Sequence, residues 1–437
     1  MEILIETTTP VNTKLCAKYK RSFAYPTVTD RLPVILTSII DVLVRDKNDL
    51  SDDSKTETKA LIGELSELKY IMQTGKVLNH FTSNEVDTEL WNRDIERLEQ
   101  QVDELTFYSA PWLFVECYLY RRIREVFSLS TTLKDYDPFT DKKVAVLENS
   151  LPAIKPLMDN LTENKILDSH PLKTTDLINE FIKLIKNCLW ANRVDLSLSS
   201  GRMENCCAAL DIDAWDSFIL VNDVEKVLDL LFSPGESEGT KKIVDYVMDN
   251  SGLEILCDLC LADFLVSRCK VDHIRLRVKR IPWFVSDVTR SDLKHTLHRL
   301  STIDSSLCQF FAKRWQEYLD KGLWTVHDDS FWTLGLSFDE MSTYDSSLYN
   351  SLSEAFLIIF KGDLNYRKLI QDTNWETTTP MSEAVGRFRP APFVALRTLK
   401  ADTIAGLHPG TAAKLDSETP DWLVSGKYGV IQFLEKQ

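Results

Sequence analysis

The first half of the chain carries apolar residues at the spacing of amphipathic helices. In the clearest series, with intervals of four and three residues, the positions are Trp91, Ile95, Leu98, Val102 and Leu105. Such intervals place side chains on one face of a helix. A second series runs from Trp112 to Val126, with Pro111 near its first turn, and weaker candidates cover residues 33–44 and 55–80. We therefore predict a mainly helical N-terminal domain over residues 1–205.

The pattern changes beyond this point, where short apolar and β-branched runs alternate with helical segments. The runs are Ser217–Val221, Ile243–Met248, His273–Val278, Trp283–Val285, Trp324–Val326, Leu357–Phe360 and Phe393–Leu396. Alternation of strands and helices indicates βαβ units with a parallel sheet, whose strands are buried on both faces. We predict an α/β domain over residues 206–437, in which a Pro-rich turn at 387–392 leads into the last strand.

Nearly every predicted strand is followed by polar residues that can take part in chemistry. These are Asn222-Asp223, Asp249-Asn250, Ser286-Asp287, His327–Asp329, Lys361–Asp363 and Arg397–Lys400. Ligands of open α/β sheets bind outside the carboxyl ends of the strands. The pattern therefore predicts a site at one edge of the sheet, although any single loop is polar simply because loops face water.

Asp249 and Asn250 offer two adjacent oxygen donors on a predicted strand-to-helix turn, and Asp287 could supply a third. Carboxylate and amide oxygens suit Mg²⁺, Mn²⁺ and similar cations. The alternative is that Asp and Asn are merely favoured in turns. Glu254 either contacts substrate or forms a capping box with Ser251 at the helix start.

A group of cations follows the next strands. Lys361 and Arg367 flank a glycine turn and a predicted helix start, where backbone amides can bind an anion. Arg397 and Lys400 follow the next strand. These cations predict a binding site for phosphate or a similar anion, and salt bridges to nearby aspartates are the alternative.

Composition restricts the class of partner. The net charge of −15, from 51 Lys and Arg against 66 Asp and Glu, disfavours nucleic acid and anionic membranes as partners. Nine cysteines without regular spacing fit free thiols in a reducing compartment. The start of the chain lacks the pattern of a secretory signal, and no apolar run reaches the roughly 18 residues of a membrane span. We expect a cytoplasmic protein, with the nucleus also open as a location.

Four motifs together resemble the damage-control phosphatases. They are the Asp249-Asn250 pair, WFVSD with Asp287, KGDLNYR at Lys361–Arg367 and RTLK at Arg397–Lys400. The last is similar to the RTxK motif of the third subfamily. The resemblance also takes in residues 110–123 and 192–199, so it covers nearly the whole chain.

This resemblance implies a three-layer α/β/α sandwich with an appended helical bundle and a metal-dependent phosphatase. It implies Mn²⁺, Co²⁺ or Ni²⁺, with Mg²⁺ also compatible, and small phosphorylated metabolites such as fructose 1-phosphate and fructose 6-phosphate. Asp249, Asn250 and Asp287 would bind the metal, and Asp249, Asp287 and Lys400 would be catalytic. The implied substrate-binding residues are Asp249, Asn250, Glu254, Asp287, Asp363, Leu364, Asn365, Tyr366, Arg367, Arg397 and Lys400.

Two other hypotheses stay open. A vertebrate relative has been described as a carboxyl (glutamate) methyltransferase that uses S-adenosylmethionine, but this sequence lacks a glycine-rich loop for the methyl donor. The chain could also be a helical scaffold with a vestigial site. The sequence leaves open the oligomeric state and whether water or Asp249 attacks phosphorus.

Overall fold

A computed structural model of the protein describes residues 4–46, 51–163, 173–193, 212–232 and 241–436. The predicted border at residue 205 lies outside these residues, as does most of the segment 192–199. The division into two domains therefore stays a prediction.

A seven-stranded sheet forms the centre of the fold. Its strands are β1 (Ile219–Asn222), β2 (Ile243–Val247), β3 (His273–Arg277), β4 (Trp324–His327), β5 (Leu357–Lys361), β6 (Phe393–Thr398) and β7 (Gly429–Leu434). Their order is β1-β7-β6-β5-β2-β3-β4, and only the β6–β7 pair is antiparallel. The predicted α/β fold with a mostly parallel sheet and N-terminal helices is confirmed.

The direction of β1 corrects one part of the prediction. Because β1 is parallel to β7 and β7 is antiparallel to β6, β1 and β7 run opposite to the other five strands. Asn222 and Asp223 therefore lie at the edge of the sheet opposite to the other strand ends. There, the Asp223 carboxylate accepts a hydrogen bond from the backbone N–H of Phe433.

Two strand assignments were wrong. The run Trp283–Val285 is a buried turn in which Phe284 and Val285 both have positive φ, 44° and 69°. Trp283 and Phe284 pack against the ring of Tyr120, so the apolar run reflects packing in a turn and not a strand. The predicted last strand, Phe393–Leu396, corresponds to β6, and a further strand that was not predicted, β7, follows it. Gln432 interrupts the apolar pattern of β7, and its amide donates to the Ala405 carbonyl.

Helices surround the sheet. The longer ones are α1 (Leu32–Asp46), α2 (Asp52–Thr74), α3 (Thr88–Glu99), α4 (Trp112–Ser128), α5 (Thr140–Glu163), α6 (Thr174–Ala191), α7 (Val224–Phe232), α8 (Leu253–Arg268), α9 (Arg290–Thr302), α10 (Ser306–Asp320), α11 (Ser346–Ser353), α12 (Gly362–Leu369) and α13 (Thr411–Glu418). Single turns occur at Ala24–Pro26, Ile212–Trp215, Met341–Tyr344 and Met381–Ala384, and a π-helical turn spans Thr27–Arg31. None of the described helices is long and apolar enough to cross a membrane.

The predicted helices of the first half are present, with different ends: the candidate at 33–44 extends over Leu32–Asp46, whereas two others end earlier than predicted. The helix that carries Trp91 ends at Glu99, so Val102 and Leu105 lie beyond it, and Leu105 instead accepts a backbone hydrogen bond from Leu78. The candidate at 55–80 ends before Gly75, whose φ of 63° suits a left-handed C-cap.

Two apolar layers cover the two faces of the sheet. One contains side chains of α1–α4 together with Phe360 and Phe393 of the sheet. The other contains side chains of α5, α6 and α8–α10 together with Val244 and Tyr246. Because the two layers separate by sheet face, the fold is a sandwich in which helices α1–α4 pack on one face of the sheet and α5 and α6 on the other. Helix α4 thereby comes close to the carboxyl ends of the strands.

Candidate active site

A small cavity of about 40 Å³ lies at the carboxyl ends of β2, β5 and β6. Its walls are Arg31, Trp112, Glu116, Asp249, Asn250, Phe284, Asp287, Asp363, Leu364, Arg367 and Lys400. Most of these residues were predicted to form a site. Other strand-end residues do not reach it: Asp328 and Asp329, after β4, pair with Arg290 and Arg277.

The three predicted metal ligands meet because two loops are joined by hydrogen bonds. Asn250 and Asp287 form an isolated antiparallel bridge, and the Val288 N–H donates to the Asp249 carbonyl at 2.8 Å. The hydroxyl of Ser286 also donates to Asn250 Oδ1 at 2.7 Å. These contacts bring Asp249, Asn250 and Asp287 to the same cavity although Asp287 does not follow a strand directly.

The donor chemistry of this corner fits a divalent cation. Asp249, Asn250 and Asp287 offer oxygen atoms only, which hard and borderline cations prefer. The described residues contain no group of three or more His, Cys, Asp and Glu side chains that could hold an ion. A cation here would therefore use Asn250 Oδ1, which has a second lone pair besides the one facing Ser286.

Close packing of Gly362 against Asp249 fixes the carboxylate. A Cβ atom at Gly362 would lie 1.9 Å from Asp249 Oδ2, and the φ of Gly362 is 82°. Only glycine accommodates both the contact and the backbone conformation. The start of α12 thus approaches the carboxylate more closely than any other residue would permit.

Asn192, at the end of α6, connects three parts of the site. Its side-chain amide donates to Asp249 Oδ2 and Glu254 Oε2, both at 2.8 Å, and its Oδ1 accepts from the Thr398 hydroxyl at 2.6 Å. Its backbone carbonyl accepts from Lys400 Nζ. Asn192 begins the segment 192–199 of the family resemblance, but no local pattern indicated these contacts, since its side-chain partners are more than fifty positions away.

Glu254 lies under the cavity rather than on its wall. The expected capping box is absent: the Ser251 hydroxyl donates to the Ser286 carbonyl, and Gly252 stands at the N-cap of α8. Glu254 is 1% exposed and accepts from Lys361 Nζ at 2.7 Å. Its contact with substrate stays a prediction.

Lys361 belongs to the same buried network. Its Nζ also donates to Asp258 at 2.8 Å, and Tyr246 donates to the same carboxylate. Burial alone would lower the pKa of Lys361, but the Asp258 and Glu254 carboxylates raise it above its usual value. Burial raises the pKa of Asp258 to about 6, against the lowering effect of Lys361. The salt-bridge alternative therefore describes Lys361.

The two arginines of the motifs also pair with carboxylates. Arg367 lines the cavity but donates to Glu116 at 2.6 Å and to Asp372 at 2.7 Å. Arg397 is fully buried, donates to Asp363 at 2.7 Å and holds the carbonyls of residues 401 and 403. Just before Arg367 in sequence, two other predicted residues point elsewhere: Asn365 donates to the Lys361 carbonyl and Tyr366 donates to Gln432.

Lys400 completes the RTLK segment and lies on the cavity wall. Its backbone N–H donates to Asp363 Oδ1 at 3.1 Å. Three residues of the segment thus have separate tasks. Arg397 holds Asp363, Thr398 holds Asn192, and Lys400 presents an ammonium group to the cavity.

Comparison with known proteins identifies the family. A model described as the damage-control phosphatase ARMT1-like domain matches residues 27–415. The chain belongs to this family.

Similar damage-control phosphatases match nearly the whole length of the chain. A protein named damage-control phosphatase ARMT1 from Danio rerio is 40% identical over 432 residues, covering 96% of each chain. Proteins of the same name from Xenopus laevis and Homo sapiens are 40% and 37% identical over 430 and 425 residues. They cover 96% and 94% of this chain and 98% and 96% of their own lengths.

The family match begins at residue 27 and therefore includes four cavity residues that were not predicted as site residues. Arg31, Trp112, Glu116 and Phe284 all line the cavity. Trp112 and Glu116 lie in the helix that carried part of the family resemblance, but nothing in its periodicity separated a cavity wall from a packing face. The helical N-terminal region of this family member thus forms part of the site.

Proposed function

We propose that this protein is a metal-dependent phosphatase that hydrolyses phosphomonoesters of small metabolites, including fructose 1-phosphate and fructose 6-phosphate. One observation carries the proposal: Asp249, Asn250 and Asp287, from two separate loops, line one cavity together with Lys400. The names of the relatives support a phosphatase, and the RTLK segment supports the third subfamily. The damaged or excess phosphometabolites of the cell would be its substrates.

Asp249, Asn250 and Asp287 would hold the cation, for which we propose Mn²⁺, Co²⁺ or Ni²⁺, with Mg²⁺ as a further candidate. When bound, such a cation neutralises phosphoryl charge and acidifies a coordinated water. Lys279 is buried beside this set, with its Nζ 3.1 Å from Asp287 Oδ2 and 2.9 Å from the Met248 carbonyl. It orients the Asp287 carboxylate from behind.

The protein's own groups would position the phosphate. Phosphoryl transfer depends mainly on charge stabilisation and in-line alignment. Lys400 would donate to a phosphoryl oxygen, while Asp363, held by Arg397 and by the backbone of Lys400, would accept a hydrogen bond from the substrate. Asp249, whose Oδ2 is fixed by Asn192 and Asn250, is our preferred nucleophile, and a water molecule is the alternative.

The size of the cavity bears on how substrate enters. At about 40 Å³ it has room for a few water molecules, whereas sites for small organic ligands usually enclose about 300 Å³ or more. A hexose phosphate therefore requires one wall to move. Phe284 is the best candidate, because it stacks on Tyr120 at 4.6 Å in a turn with two positive φ angles.

A screen of phosphorylated metabolites against Mn²⁺, Co²⁺, Ni²⁺ and Mg²⁺ tests the proposal. We expect chelator-treated protein to be inactive, activity to return with metal, and Asp287→Ala to lose both metal and activity. Asp328→Ala is the matched control, since Asp328 follows the neighbouring strand end but pairs with Arg290. Full activity of Asp287→Ala, or of metal-free protein, would exclude this site.

The two other hypotheses stay predictions with their own measurements. Calorimetric titration with S-adenosylmethionine addresses the methyltransferase, which requires binding at micromolar strength. Elemental analysis of the purified protein addresses the vestigial scaffold, which requires that no metal is retained and that Lys400→Ala changes nothing.

A further inference from the structure

The cations that were expected to bind phosphate are mostly committed to carboxylates of the protein. Lys361 and Arg397 are fully buried in ion pairs, and Arg367 donates through Nε, Nη1 and Nη2 to two carboxylates. The other cations on the cavity wall are Lys400 and Arg31. Of these five, Arg31 alone comes from the N-terminal helical region.

A stack of charged and aromatic groups places Arg31 at the cavity. Its guanidinium lies 5.6 Å from the ring centre of Phe23, whose ring meets Trp112 edge-on at 5.9 Å. The guanidinium of Arg367 lies 3.6 Å from the Trp112 ring. The backbone N–H of Phe23 donates to the Asp402 carboxylate at 2.8 Å, which ties the stack to the loop after Lys400.

The backbone at Arg31 is also unusual. Arg31 is the last residue of the π-helical turn Thr27–Arg31, in which Thr27 and Val28 face the core. A π-turn inserts one extra residue into a helix and so changes the direction of the side chains around it, and such turns are frequent at functional sites. The turn lets the same short segment fill the core and supply a cation to the cavity.

We propose that Arg31 is a substrate-binding residue that donates to a phosphoryl oxygen of the substrate, beside Lys400; this inference rests on the proposed phosphatase function. The planar guanidinium offers paired N–H donors that match the spacing of phosphate oxygens. A phosphomonoester carries about two negative charges near pH 7, and two cations from different walls share them. The site is then complete only when the N-terminal helices are docked on the sheet.

Replacement of Arg31 tests the inference by separating binding from packing. We expect Arg31→Gln to raise both KM and the inhibition constant of inorganic phosphate by about 10-fold or more, because a charge-assisted hydrogen bond is lost. Arg31→Lys should recover part of the loss. Arg21→Gln is the matched control, because Arg21 lies in the same N-terminal segment with an exposed side chain that is not on the cavity wall.

Three outcomes would overturn the inference. Wild-type values of KM and of phosphate inhibition in Arg31→Gln would show that Arg31 does not bind substrate. A lowered melting temperature with those two constants unchanged would assign Arg31 to packing on Phe23 alone. If the wild-type protein neither hydrolyses a phosphomonoester nor binds inorganic phosphate in calorimetry, the proposed function fails and this inference with it.

Discussion

Strand β2 carries one buried aspartate in its middle and another just beyond its end, and the two have different surroundings. Asp245 is fully buried and accepts from Arg275 at 3.0 and 2.6 Å and from Arg277 at 2.7 Å. Asp249 is 5% exposed, and its Oδ2 accepts from the side-chain amides of Asn192 and Asn250 at 2.8 and 2.9 Å. Asp249 faces a cavity, whereas Asp245 faces the adjacent strand.

The kind of donor explains the difference in role. Two guanidinium groups orient a carboxylate and also neutralise its charge, so Asp245 is suited to hold strands together. Amide groups orient a carboxylate without bringing a positive charge to it, and Asn192 and Asn250 hold Asp249 Oδ2 in this way at the cavity. A buried carboxylate held by neutral donors beside a cavity therefore indicates a binding role more strongly than burial alone.

The largest effect should follow from Asp249→Ala. Loss of a metal ligand removes several kcal/mol of transition-state stabilisation, so we expect kcat to fall by about 10³-fold or more. Steady-state assays with the best substrate of the screen measure it. Because Asp249 lies at the cavity, beyond the end of β2, rather than between two strands of the sheet, the melting temperature should shift by only a few degrees.

Asp249→Asn serves as the shape-matched control for that substitution. It keeps the side-chain shape against Gly362, removes the charge and turns one acceptor oxygen into an amide donor. If Asp249→Asn retained wild-type activity, the carboxylate charge would be irrelevant and the distinction between the two aspartates would lose its functional meaning.

The second largest effect should come from Asp245→Asn, which should lower stability and leave activity nearly unchanged. The variant leaves two buried guanidinium groups without their shared carboxylate, and breaking a buried ion pair costs about 3 kcal/mol or more. We expect chemical denaturation to show this loss of unfolding free energy, while kcat/KM of the folded variant stays within about two-fold of wild type. A large loss of activity at unchanged stability would contradict the structural role assigned to Asp245.

The two aspartates also show what the sequence could reveal. Asp249 was predicted as a site residue because a strand end followed by polar residues is visible in a single sequence. Asp287 was predicted in the same way and lines the same cavity, although the segment before it is a turn and not a strand. Asp245 was overlooked within an apolar run. The alternation of Arg275 and Arg277 with Ile274 and Leu276 in β3 was a signal, since residues two apart on a strand share a face.

Other parts of the site depend on tertiary structure that no local pattern encodes. Arg31 and Trp112 reach the cavity because the N-terminal helices dock on one sheet face, and Asn192 reaches it from the end of α6. The reversed direction of β1 follows from pairing with β7, the strand that was missed. Local periodicity predicted the elements, but it could not predict which distant elements would meet.

Asp402 supplies the test with the smallest expected effect. It is a buried carboxylate whose hydrogen-bond donor is a backbone N–H, neither a guanidinium group nor a side-chain amide. The described residues include no ion pair to Asp402, and its Oδ2 accepts from the Phe23 N–H. Burial raises the pKa of Asp402 to about 6, against the lowering effect of that hydrogen bond. Since the folded-state pKa exceeds the unfolded value of about 3.9, folding favours the protonated form. Its contribution to stability is complete below about pH 4 and is lost as pH rises to about 6.

Asp402→Asn keeps the acceptor for Phe23 but cannot ionise. We therefore expect this variant to gain on the wild type as pH rises from 4 to 6, and to be more stable above pH 6 by about 3 kcal/mol. Urea denaturation at pH 4, 5, 6 and 7 measures the difference, with Asp41→Asn on the exposed side of α1 as control. A difference that is constant across this range would mean that Asp402 titrates alike in folded and unfolded chains. Burial without a cationic partner would then not distinguish Asp402 from a surface carboxylate, and the contrast drawn from donor type would apply only to Asp245 and Asp249.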